Sequence, residues 1–227
     1  ILDPGDEVLA FAPYFGEYRG YVANHQGILK EVAPDTETFQ PDFADFERKI
    51  TEKTKAVIIN NPVNPTGVVY SEETIQTMAG IMDAKQKEYG HEIYMVSDEP
   101  YRELVYDGCQ APFLTKYYDN TFVTYSFSKS LSIPGERIGY VAVSPGIADC
   151  EQVCSALSVA NRILGFVNAP SLMQKAVAKA IDATTDVAYY DRNRKLIYDK
   201  LISLGFTCAK PQGAFYLFIK SPDADEK

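Results

Sequence analysis

The sequence predicts an α/β fold, a three-layer α/β/α sandwich on a mostly parallel mixed sheet. Three observations predict it. Short β-rich runs alternate with helical stretches along the 227 residues, as in βαβ units. The run Ala56-Val57-Ile58-Ile59 is continuously apolar and bounded by turn residues, which reads as a buried strand. Residues with usable chemistry stand at the ends of several runs, where open α/β sheets place their ligands.

Taken in order, Glu7 to Ala12 reads as a strand and Pro13 to Asn24 as a turn and helix. Ile28 to Ala33 is a short strand, and Pro41 to Ile50 a helix with Asp42 near its start. Ala56 to Asn60 is a strand. Ser71 to Tyr89 is a helix, opened by Ser71 as cap with Glu72 and Glu73 in the first turn. Ile93 to Asp98, Phe122 to Ser126 and Ile138 to Val143 read as strands. Gly146 to Leu164, Ala169 to Ala183 and Asp186 to Leu204 read as helices, the last ending at Gly205 as a C′ residue. Phe215 to Lys220 reads as a final strand. No internal repeat or low-complexity segment interrupts the pattern.

Composition narrows the function classes. The chain is long enough to bury a substantial core as one domain. Lysine and arginine number 22 against 31 acids, a net charge of −9 that argues against nucleic acid and anionic membrane as partners. No apolar run approaches the length of a membrane span, and no signal peptide is visible, so a cytoplasmic location is expected. Cys150 and Cys154 are one helical turn apart, and His25 and His91 are the only histidines; no metal site is expected.

The densest chemistry lies in Ser126-Phe127-Ser128-Lys129, followed by Gly135-Glu136-Arg137-Ile138-Gly139. A lysine after a strand can form an imine with a carbonyl cofactor, and hydroxyls with an arginine can hold a phosphate. Pyridoxal 5′-phosphate (PLP) is both an aldehyde and a phosphate ester, and its site also needs an acid for the pyridine nitrogen. Asp98, closing Tyr94-Met95-Val96-Ser97-Asp98, is the candidate, with Tyr101 three positions on. The rigid turn Asn60-Asn61-Pro62-Val63-Asn64-Pro65-Thr66-Gly67 adds Asn64, whose amide can donate to an oxygen anion or accept from a hydroxyl. Each motif alone has an ordinary reading: a solvated Ser/Lys loop, an Asn/Pro turn, Asp98 as a helix N-cap. Their company favours the cofactor.

The order N-P-x-N-P-T-G, D-E-P-Y, S-x-S-K and G-x-R-x-G resembles the class I and II aminotransferases, the fold-type I PLP enzymes. The likeness begins at Asp3-Pro4-Gly5-Asp6-Glu7-Val8, runs through Ala12-Pro13-Tyr14-Phe15-Gly16-Glu17-Tyr18 and reaches Gly213-Ala214-Phe215-Tyr216. It implies that Lys129 holds PLP as an internal aldimine and then moves a proton at the substrate's Cα. A free lysine is protonated at neutral pH, so this role needs imine formation or a lowered pKa. The resemblance implies that Asp98 keeps the ring nitrogen protonated, since an opposite charge favours the charged form. It places Asn64 and Tyr101 on the ring's phenolic oxygen. It assigns Ser126 and Arg137 to the phosphate, with Ser128 as a weaker candidate; the guanidinium fork suits that task. Phe15 would stack on the ring or serve as a core residue at a strand end, and Tyr18 would line the substrate pocket or serve structure. Arg162 stands one position off the spacing to Asn168-Ala169-Pro170 expected of a residue for a distal substrate carboxylate, which favours a surface or interface role.

Complete members are roughly twice this length. The family's N-terminal arm, the small-residue phosphate loop with its helix start and most of the small domain have no counterpart here. The expectation is therefore an N-terminally truncated PLP-binding large domain over residues 1–185. Residues 186–227 are expected to form a linking helix and the start of a small C-terminal domain. The activity expected is transfer of an amino group between an amino acid and a 2-oxo acid, in a homodimer. A carbon–sulfur lyase of the same fold, or a non-catalytic large-domain fragment, are the alternatives.

Overall fold

The computed structural model describes residues 1–222, so the last five residues of the expected segment 186–227 lie outside the described residues. Six strands form one sheet: β1 (Glu7–Phe11), β2 (Ile28–Val32), β3 (Thr54–Asn60), β4 (Tyr94–Asp98), β5 (Thr121–Ser126) and β6 (Gly139–Val143). Their spatial order is β2-β1-β3-β4-β5-β6. Every pairing is parallel except β5 with β6, so the sheet is mixed and mostly parallel, as expected. The helices are α1 (Tyr18–Ala23), α2 (Phe43–Lys49), α3 (Glu72–Tyr89), α4 (Phe127–Ser130), α5 (Cys150–Ile163), α6 (Ser171–Lys179) and α7 (Val187–Ser203).

The period-2 alternation of strands sends neighbouring residues to opposite faces. Leu9, Phe11, Val57, Ile59 and Met95 point to one face and pack with Phe46 of α2 and with Ile75, Met78 and Met82 of α3. Val8 and Ala56 point to the other and pack with Val22 of α1. Covering both faces explains why the central strands read as unbroken apolar runs.

Local signals set the helix ends. Asp42 caps α2 by accepting from Asp45 N–H at 3.0 Å. Ser71 caps α3 by accepting from Thr74 N–H at 3.1 Å. Ser71→Ala removes that acceptor and is expected to cost about 1 kcal/mol, read as a lower urea midpoint at unchanged slope.

One expected element is not formed. Phe215 to Lys220 makes no named strand; the region has only isolated bridges, Val105 with Gly213 and Cys208 with Ile219. The apolar run has the right composition, but a strand exists through a neighbour's hydrogen bonds, and none of the six strands lies beside it. The segment instead packs its side chains on α7 and on the loop after β4. Tyr101, Leu104 and Ala214 form a small core there with Val187, Tyr190 and Tyr216. Buried Arg194 of α7 fastens this unit: it donates to the Pro211 carbonyl at 2.6 Å and to Asp107 at 3.0 Å. Among the described residues no helix is long and apolar enough to cross a membrane.

Candidate active site

Parallel register brings the chemistry together at one end of the sheet. Asn60 lies opposite Asp98, Asp98 opposite Thr124, and Ser126 opposite Gly139. The carboxyl ends of β3, β4 and β5 thus carry the turn with Asn64, the carboxylate of Asp98 and the segment bearing Lys129. Asn60 ties two of these together, donating from Nδ2 to the Asp98 carbonyl at 2.8 Å and accepting from Asn64 N–H at 2.6 Å.

Lys129 sits in α4, a single turn whose cap is Ser126. Its ammonium lies 5.2 Å from the Phe215 ring centre and 6.0 Å from that of Tyr101. Its side chain makes no hydrogen bond or ion pair to any described residue. Aromatic faces attract the cation without occupying its donors, so the amine stays open to a carbonyl.

Asp98 is part-buried and has two hydroxyl donors. Tyr18 O–H donates to Oδ2 at 2.5 Å and Thr124 O–H to Oδ1 at 3.2 Å. Burial pushes its carboxyl up, and the Tyr18 and Thr124 donors pull it back. Tyr18 is held well above the ordinary phenol range by burial and by the Asp98 charge. No described cation pairs with Asp98. A part-buried carboxylate lacking a cation fits a group that brings its own positive charge, such as a protonated pyridine nitrogen.

Tyr101 is buried, and its hydroxyl pairs with that of Tyr216 at 2.7 Å. Burial and Tyr216 raise its pKa, and the nearby Asn64 side chain lowers it. The structure therefore does bring Asn64 and Tyr101 together. Ser126 and Ser128 are also together: Ser126 O–H donates to Ser128 Oγ at 2.7 Å. Arg137 is exposed, in a left-handed conformation with φ of 51°, and donates to the Pro134 carbonyl at 2.8 Å. The Tyr21 phenol is pushed up to about 12 by its hydrogen bond to Glu17, then by burial and by the Glu17 and Asp98 charges, with Arg137 pulling the other way.

Phe15 lies edge-on to Tyr18 with ring centres 5.7 Å apart and is 36% exposed, neither a core residue nor stacked among its neighbours. Tyr18 is buried and spends its hydroxyl on Asp98, which groups it with the carboxylate rather than with a substrate pocket. Arg162 is exposed in the last turn of α5 and takes part in none of these contacts. Among the described residues no group of three His, Cys, Asp or Glu side chains can hold a metal ion.

Three participants escape sequence reasoning. Thr124 looks like one polar residue in an apolar strand, and only the register shows that it faces Asp98. Tyr216 and Phe215 reach the site from a distant part of the chain, and the likeness at Gly213-Ala214-Phe215-Tyr216 gives them no role. One spacing constraint was visible as glycine: a β-carbon at Gly139 would stand 2.2 Å from the Tyr125 carbonyl oxygen. The absence of a side chain there lets β6 lie close against the strand that ends in Ser126.

Comparison with known proteins agrees with this geometry. The family model for aminotransferase class I and II matches residues 1–227. A probable aspartate/prephenate aminotransferase of Thermus aquaticus is 34% identical over 224 residues, covering 96% of this chain and 56% of that protein. The structure of an amino transferase from Eubacterium rectale superposes with a TM-score of 0.97 at 50% identity, covering 99% of this chain and 56% of that one. Aspartate aminotransferase from Thermotoga maritima superposes at 0.84 with 31% identity, covering 98% and 57%. The chain thus spans a little over half the length of the proteins it matches.

Proposed function

Since the chain belongs to the class I and II aminotransferases, a PLP-dependent family, we propose that it carries the cofactor site of an enzyme moving an amino group between an amino acid and a 2-oxo acid. One observation carries the reading: an unpartnered lysine amine and a carboxylate without a cation stand at the ends of neighbouring strands. The matched relatives are themselves aminotransferases, which favours transfer over carbon–sulfur elimination.

When bound, PLP supplies an aldehyde that condenses with amines and a ring that withdraws electrons. Lys129 Nζ would hold that aldehyde and, as a free amine, would take the proton from the substrate's Cα. Asp98 keeps a positive charge on the ring nitrogen. Asn64 and Tyr101 bind the phenolic oxygen, Tyr216 orienting the Tyr101 hydroxyl. Ser126, Ser128 and Arg137 hold the phosphate, Arg137 after giving up its contact with the Pro134 carbonyl. Phe15 covers the ring. We assign residues 1–185 to the cofactor-binding domain and residues 186 onward to a linking helix and a second domain, with a homodimer as the working assembly.

The test is to add PLP to the purified chain, reduce with borohydride and map the adduct by mass. A visible absorbance band and a reduced adduct on Lys129 support the reading. An adduct confined to other lysines overturns it.

A further inference from the structure

Both oxygens of Asp98 are occupied, each by one hydroxyl from a different element. Oδ2 accepts from Tyr18, on the short helix after β1, at 2.5 Å, and Oδ1 from Thr124, on β5, at 3.2 Å, the Thr124 hydroxyl being shared with the Ser97 carbonyl at 3.3 Å. A carboxylate held on one oxygen can still turn about its last torsion; held on both, from two sides, it cannot turn without breaking a hydrogen bond. The main chain at Asp98 is fixed as well, by its pairing with β5 and by the Asn60 amide on its carbonyl.

We propose that Thr124 and Tyr18 are positioning residues that clamp the Asp98 carboxylate, one hydroxyl on each oxygen, and so present a fixed anion to the pyridine nitrogen of PLP. This rests on the cofactor reading above. Neither residue touches the reacting atoms; both act through Asp98. A hydroxyl can only donate to the ionised oxygen, so each favours the charged form against the burial that opposes it. The titratable groups near enough to feel Asp98 are Tyr18 and Tyr21 of α1, Tyr101 in the loop after β4, and the adjacent Glu99. The side chains meeting Asp98 from β3 and β5, Asn60 and Thr124, do not titrate. The hydroxyls of Tyr18 and Thr124 therefore offset burial that no cation among the described residues offsets.

The experiment titrates Asp98 in the cofactor-free full chain by carboxyl carbon NMR, with Asp98→Asn assigning the signal. Removing a donor to the charged form raises a carboxylate's midpoint. Thr124→Val is expected to move the Asp98 midpoint to higher pH and Thr124→Ser to restore it; Tyr18→Phe is expected to move it in the same direction. With PLP added, Thr124→Val is expected to weaken binding about tenfold, the loss of one hydrogen bond to a charged group. An Asp98 midpoint that stays put in Thr124→Val, in protein that melts like the wild type, overturns the clamp. Because Tyr18 is buried and its variant can fail to fold, the Val/Ser pair at Thr124 decides. A midpoint that moves as expected while Lys129 takes no adduct keeps the clamp and sinks the cofactor reading; an adduct with an unmoved midpoint does the reverse.

Discussion

On the proposed reading, Lys129→Ala is expected to abolish covalent capture of PLP and to lower amino-group transfer by about 10⁴-fold, the upper range for losing a positioned general base. The structure argues for both losses from one atom. Lys129 Nζ lies over two aromatic rings and binds no described carboxylate, so the amine is spent on no structural bond. For the same reason the substitution leaves folding nearly untouched, within about 0.5 kcal/mol, the range for side chains outside packed networks. The absorbance of the cofactor with and without borohydride, beside a urea melt, checks both parts. A variant that keeps a reduced adduct shows that another lysine holds the cofactor. A variant that loses the adduct by unfolding shows that the lysine is structural.

Gly67→Ala is expected to destabilise the fold by about 2–4 kcal/mol, combining the strain of a left-handed alanine with overpacking. Gly67 closes the N-P-T-G turn at φ of 73°. A β-carbon there would lie 2.7 Å from Pro211 Cβ and 2.8 Å from the Tyr216 carbonyl oxygen. Relief by local movement is blocked, because the Gly67 carbonyl accepts from Gln212 and Gly213 N–H groups at 2.7 and 2.8 Å. The clash pushes the 211–216 segment away from the turn and loosens the Tyr216 hydroxyl from Tyr101. The variant is therefore expected to bind PLP more weakly even where it remains folded. Urea unfolding measures the first effect and absorbance titration the second. A stability within about 0.5 kcal/mol of wild type would mean that the segment yields freely and does not brace the site.

Much of this was legible in the sequence because strands and caps are local matters. The unbroken apolar run before Asn60, the Ser71 cap and the acid closing β4 each follow from neighbours within a few residues. Lys129, Asp98, Asn64 and Tyr101 came together because parallel strands share an end, and each follows or closes one. What sequence could not supply was pairing across distance. Thr124 acquires its role from lying opposite Asp98, Tyr216 from meeting Tyr101, and Tyr18 from a hydrogen bond spanning 80 positions. Phe215 to Lys220 shows the same limit in reverse: its composition suits a strand, and no strand is adjacent to make it one.

The link between Tyr101 and Tyr216 has a consequence for the order of events during synthesis. The two residues stand 115 positions apart. At about 5–20 residues per second, a ribosome needs roughly 6–23 s to travel from one codon to the other. Late in that interval, once β5 and Lys129 have been made, the nascent sheet can already hold Asp98 and Lys129 at neighbouring strand ends, while the Tyr101 hydroxyl waits for its mate and the Lys129 ammonium for the Phe215 ring. Pyridoxal phosphate offered to stalled nascent chains is thus expected to be held only loosely until Phe215 and Tyr216 emerge, making cofactor retention a clock for the closing of this site.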